Sequence, residues 1–126
     1  MARLGSSAQA TVRQFAGQMD IDAYEAPDGA FSFALDQSGR LSIVGSEDGQ
    51  IVVSLTGRIL LGDLRGQARL AALGGYDAGR DLLLHCGMNR AGQPVLARRS
   101  DPRDFSLPQL LETVALLTDR LRGLAG

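Results

Sequence analysis

His85 and Cys86 carry the most reactive side chains in this sequence. An imidazole beside a thiol would suit nucleophilic catalysis, with the base raising the thiolate fraction. The two residues are consecutive, however, in the run Leu82-Leu-Leu-His-Cys86, which reads as a β-strand. Consecutive side chains on a strand point to opposite faces, so the pair cannot form a dyad within one chain. The chain has no second His or Cys to complete either group. A zinc site, which needs about four ligands, fails by the same count.

The carboxylate pairs Asp20/Asp22 and Asp101/Asp104 fall where Asp accepts backbone hydrogen bonds at caps and turns. They lack the spacing and the closing Glu of a calcium loop. Gly45-Ser-Glu-Asp-Gly49 places acidic groups where a bound anion would sit, and no phosphate-loop or dinucleotide motif occurs. Gly62 and Gly66 are flanked by Asp63 and Arg65, which does not fit a membrane helix pair. Arg98-Arg99, close to Asp101 and Asp104, reads as a solvated strand end with local ion pairs. These residues predict no catalysis, no cofactor and no metal, and leave binding through apolar surface and sheet edge.

The composition agrees with such a role. The 126 residues, with net charge −1 and pI near 5.7, predict one domain over residues 1–126. That balance points away from nucleic acid, and all 13 basic residues are Arg. A single Cys leaves no internal disulfide and suggests a reducing compartment. The first fifteen residues have no apolar h-region, and no window reaches the roughly 18 apolar residues of a membrane span. The expectation is a cytoplasmic protein without membrane insertion.

The elements that must position a binding surface follow from periodicity. Ala8, Val12, Phe15 and Met19 form one stripe of a helix over residues 7–19, with Ser6 and Gln9 as its capping box. Residues 20–29 form a polar connector. Phe31, Phe33 and Leu35 alternate with smaller or polar residues, as a half-buried strand does. Leu41-Ser-Ile-Val44 and Ile51-Val-Val-Ser-Leu55 extend this into an antiparallel meander over residues 31–61, with glycine-bearing turns at residues 36–40 and 46–49. A weak helix over residues 63–73 stops at Gly74-Gly75. The strand at residues 82–86 turns through residues 89–92 into Val95-Leu-Ala-Arg-Arg99. Ser106, Pro108 and Gln109 then open a helix whose stripe is Leu107, Leu110, Leu111, Val114, Leu117, Leu121 and Leu124. The order helix, three strands, helix, two strands, helix predicts an α+β fold, a twisted antiparallel sheet with helices packed on it. Both the meander and the strand at residues 82–86 carry more apolar residues than three short helices can cover, which calls for a further cover.

This order of elements resembles the class I type III secretion chaperones, the Tir-chaperone (CesT-like) family. The likeness runs over residues 7–122, through FSFALDQSGRLSIV, IVVSLTGRI, PVLARRSDPRDFSLPQLLETV and the closing leucine-rich helix. It implies a bacterial cytoplasmic homodimer that binds the N-terminal segment of a secreted effector, keeps it non-globular and presents it for export. The export-apparatus ATPase is a further implied partner, with no ATP hydrolysis by the chaperone itself. By position, the resemblance assigns Val12, Phe15, Phe31, Phe33, Leu41 and Ile43 to the client groove. It assigns Leu70, Leu73, Leu82 and Leu84 to the dimer contact. The alternative reading of the same pattern is a small-ligand sensor of profilin- or PAS-like architecture.

Overall fold

In the computed structural model, residues 3–22, 24–35 and 39–125 are described. The chain runs α1 (Ser6–Met19), β1 (Tyr24–Glu25), β2 (Phe31–Leu35), β3 (Gly39–Gly45), β4 (Ile51–Thr56), α2 (Leu64–Ala71), β5 (Gly75–Asp77), β6 (Leu82–Met88), β7 (Pro94–Ser100) and α3 (Leu107–Ala125). The strands form one antiparallel sheet in the order β1-β2-β3-β4-β7-β6-β5. The expected α+β order is present, and two short strands are added at the sheet edges. β1 lies inside the expected connector, and β5 begins at the glycine pair expected only to stop a helix. Strands of two and three residues carry no periodicity of their own, because their neighbours induce them. Of the first expected turn, residues 36–38 lie outside the described residues.

Alternation along β2, β3, β4 and β7 gives the sheet two unlike faces. Phe31, Phe33, Leu41, Ile43, Val53, Leu55 and Leu96 are at most 1% exposed on the inner face. The α3 helix packs on β4 and β7, α1 packs on α3, and α2 covers β6. The Phe15 and Phe33 rings meet edge to face at 5.7 Å, which joins α1 to β2. The outer face carries Ser32, Ser42, Ser54, Ala97 and His85 in one cross-strand row. No described helix covers that face, and none is long and apolar enough to cross a membrane.

Local chemistry sets the element ends. The Ser6/Gln9 capping box does not form, because α1 starts one residue early with an extended Gly5 as its cap. Ser6 therefore lies inside the helix, and the Gln9 side-chain amide donates to the Leu4 carbonyl at 2.8 Å. Asp63 caps α2 by accepting from Gly66 N–H at 2.8 Å. At α3, Ser106 accepts from Gln109 N–H at 3.3 Å, but the Gln109 amide donates to Ser100 at 2.8 Å instead of returning to the cap. Gly39, at φ 120°, is a position only glycine can fill: a Cβ there would lie 1.9 Å from the Thr56 carbonyl oxygen.

The Arg98-Arg99 pair divides between the faces and finds partners other than the expected Asp101 and Asp104. Arg98 donates inward to Thr113 at 2.8 Å, and Thr113 donates on to the Gln109 carbonyl. Arg99 pairs outward with Asp48 at 3.0 Å, tying the turn between β3 and β4 to β7. Asp101 pairs instead with Arg103 at 3.1 Å.

Two measurements check this architecture. Phe33→Ala removes the ring that receives Phe15 and should cost about 3–5 kcal/mol in urea unfolding; a loss below about 1 kcal/mol would contradict its place in the core. The Asp48 carboxyl is held below its ordinary value of 3.8 by the Ser46 hydroxyl first, with the Gln50 N–H and Arg99 adding to it. A depressed folded-state pKa contributes stability above the unfolded value, and that contribution is lost as pH falls through the folded one. Side-chain carboxyl NMR should therefore show Asp48 titrating below 3.8, and Ser46→Ala should move its midpoint upward. An unmoved midpoint would remove the hydroxyl as the main cause.

Candidate functional site

An open cleft of about 1050 Å³ lies where α1 ends, between the close of β2 and the side of α3. The end of α1 is shaped by Asp20, which takes the left-handed conformation at φ 54°. Asp20 N–H then bonds to the Gly17 carbonyl, and Ile21 N–H reaches the Ala16 carbonyl at 3.0 Å. This is the Schellman arrangement, with Asp in the position usually held by glycine. It folds Ile21 back against the helix, beside Met19 and Phe15 in the cleft wall. Asp20 thus ends a helix, and its carboxylate is not part of a pair with chemistry.

The opposite wall is a second stripe of α3. Leu111, Val114, Ala115, Thr118, Asp119 and Arg122 recur at helical spacing beside the core stripe of Leu110, Leu117 and Leu121. Ala34 and Leu35 close the end near β2. The β1 strand pairs only with Phe31 and Ser32. Among the described residues, no strand lies beside residues 33–35 on that side, so a length of sheet edge borders the cleft. The walls are mostly apolar and the charged groups sit toward Asp119 and Arg122. Such a surface can bury apolar side chains of a chain segment and pair with its backbone.

The six positions assigned to a client groove are brought together, but in the core. Val12, Phe15, Phe31, Phe33, Leu41 and Ile43 are each 0–1% exposed, packed between α1, α3 and the inner sheet face. Only Phe15 reaches the cleft. Side chains with so little free surface pack beneath the cleft and have almost no open area within the chain. The open residues at the same place are Met19, Ile21, Leu35 and Leu111. Met19 and Leu111 stand on stripes that read as core, and Ile21 stood in the connector. The one available signal was the breadth of the α3 stripe, with Leu110 and Leu111 adjacent, more than one packed face requires.

The positions assigned to a dimer contact behave alike. Leu70, Leu82 and Leu84 are buried within the chain, and Leu73 lies just beyond α2, half-buried against the core. Alternation instead exposes Leu83, and the far half of β6 from His85 to Met88 is open. The strand at residues 82–86 therefore has leucines on both sides, as expected, but only Leu82 and Leu84 on its inner side are covered. Leu60 and Leu64, before and at the start of α2, are 69% and 82% exposed. His85 and Cys86 lie on opposite faces, with Cys86 against Gly74 and Ala71 of the inner side.

No protein-family model and no curated protein matches this sequence. Solved structures do match the fold over nearly its whole length. The Yersinia pestis type III secretion chaperone SycH, solved with a stable fragment of YscM2, has TM-score 0.68 at 17% identity, over 93% of this chain and 98% of that one. SchA, from the HopA1–SchA chaperone–effector complex, has TM-score 0.71 at 15% identity, over 96% and 97%. ExsC, from the ExsC–ExsE complex, has TM-score 0.68 at 16% identity, over 94% and 91%. At such identities the likeness is one of architecture: this chain has the fold of the type III secretion chaperones.

Proposed function

We propose that this chain is a single-domain type III secretion chaperone over residues 1–126. It binds the N-terminal segment of a secreted effector in the bacterial cytoplasm, keeps it non-globular and presents it for export. The observation that carries this reading is the fold likeness over more than nine-tenths of the chain to a type III secretion chaperone solved with a fragment of another protein and to a chaperone–effector complex. The cleft between α1, β2 and α3 supports it, since an apolar trough beside an open sheet edge suits a segment without its own fold. Such a segment loses conformational entropy on binding and must bury a large area in return. The Val12, Phe15, Phe31, Phe33, Leu41 and Ile43 cluster then acts as the rigid floor, and Met19, Ile21, Leu35 and Leu111 make the contact.

The chaperone acts as a homodimer, in contact with the export-apparatus ATPase but hydrolysing no ATP itself. The dimer contact uses α2 and β6, as the Leu70, Leu73, Leu82 and Leu84 assignment placed it, but through exposed neighbours, Leu64 and Met88 on the helix side and Leu83 on the open side of β6. An exposed apolar set of this kind on a small chain favours burial against a second copy.

Co-expression with the protein encoded by the adjacent reading frame tests the client. Ala115 is exposed on the cleft wall, so Ala115→Arg should fill the cleft and weaken capture of that protein's N-terminal fragment by at least about tenfold, with the melting temperature held. A thermal-shift screen in which a small molecule raises the melting temperature, and no peptide does, would overturn the chaperone reading in favour of a small-ligand sensor. Light scattering should give twice the 13.3 kDa chain mass, falling to the single mass in a Leu83→Arg/Met88→Glu double variant. A monomeric wild type would remove the dimer.

A further inference from the structure

Ala34 lines the cleft described above and also a second, separate hollow of about 350 Å³ on the uncovered side of the sheet. That hollow is built where β2, β3 and β4 reach the same end of the sheet. Ala34 stands opposite Arg40, and Arg40 stands opposite Thr56, so the three strands set Arg40 in its middle. Arg58, two residues past β4, lies at its rim.

The two guanidinium groups are held in place by neutral partners. Arg40 Nη1 donates to the Ser32 hydroxyl at 2.8 Å, and Arg58 Nη2 donates to the Leu35 carbonyl at 3.1 Å. Among the described residues, neither Arg40 nor Arg58 has a carboxylate within ion-pair distance, whereas Arg3, Arg13, Arg80, Arg99, Arg103 and Arg120 each have one. Each guanidinium has further N–H donors in a planar fork suited to a carboxylate. The acidic turns at Asp48 and Asp101 lie at the opposite end of the strands.

We infer that this hollow receives a carboxylate side chain of the bound protein segment. The segment leaves the apolar cleft over Ala34 and places an acidic residue between Arg40 and Arg58. The client class is thereby narrowed to segments in which apolar anchors are followed by Glu or Asp. This inference rests on the chaperone reading for its occupant, and on the two arginines for its chemistry.

Two fluorescein-labelled peptides, each alternating Leu and Ser in one half, test it by anisotropy. The other half is Glu-rich in one peptide and Gln-rich in the second. The Glu peptide should bind at least about fivefold more tightly at low salt, with the advantage shrinking at high salt. Arg40→Gln/Arg58→Gln should abolish that advantage and leave the Gln peptide unaffected, while Ala115→Arg weakens both peptides. Equal binding of the two peptides to the wild type overturns the inference and leaves the cleft standing. A Glu advantage that survives the double arginine variant also overturns it, because the acidic contact then lies elsewhere. If Ala115→Arg weakens neither peptide while the arginine variant removes the Glu advantage, the hollow stands and the cleft fails. Absence of binding by both peptides overturns both.

Discussion

The packing of three helices onto one face of one sheet is the constraint from which the other features follow. Phe15 against Phe33 joins α1 to β2, and the Leu110–Leu117–Leu121 stripe seats α3 on β4 and β7. A helix set of this size covers one face of a seven-stranded sheet and leaves the other to solvent. One row on that open face, Ser32, Ser42, Ser54, Ala97 and His85, is small and polar, while the neighbouring row carries Val44, Val52, Arg99, Leu83 and Tyr76. Leu83 stays exposed on that face, and Leu64 and Met88 stay exposed on the helix side.

The same packing creates the cleft. Because α1 ends at Asp20 and turns Ile21 back, it stops short of the last residues of β2, and α3 runs past the gap. The trough is therefore a consequence of helix length against strand length, lined mostly by apolar residues, with Asp119 and Arg122 on the α3 wall. Its floor is the close-packed cluster below, which fixes the shape of the wall more firmly than surface side chains could by themselves.

The buried polar groups mark where the core tolerates chemistry other than packing. Arg98, Thr113, Gln109 and Ser100 hydrogen-bond in sequence beneath α3, which joins the end of β7 to the first turns of that helix. Arg99 turns to the other face and binds Asp48. Neighbouring arginines thus perform unlike tasks, one half-buried toward α3 and one on the outer face, because a strand sends consecutive side chains to opposite sides.

Much of the fold was legible from the residues alone. Period-two alternation placed β2, β-rich runs between glycine-bearing turns placed β3, β4 and β7, and helical stripes placed α1 and α3, because these elements pack against a common core. The separation of His85 from Cys86 was legible for the same reason. Tertiary structure alone decided which apolar residues are open. Val12 and Met19 share a stripe, as do Leu110 and Leu111 on α3, yet one of each pair is sealed and the other meets solvent. Side-chain type states a preference for burial, and only the lengths and crossings of neighbouring elements determine whether that burial is complete. The short edge strands, the left-handed Asp20 and the placing of Arg40 and Arg58 against neutral partners depend on contacts between distant residues, and spacing along the chain does not encode them.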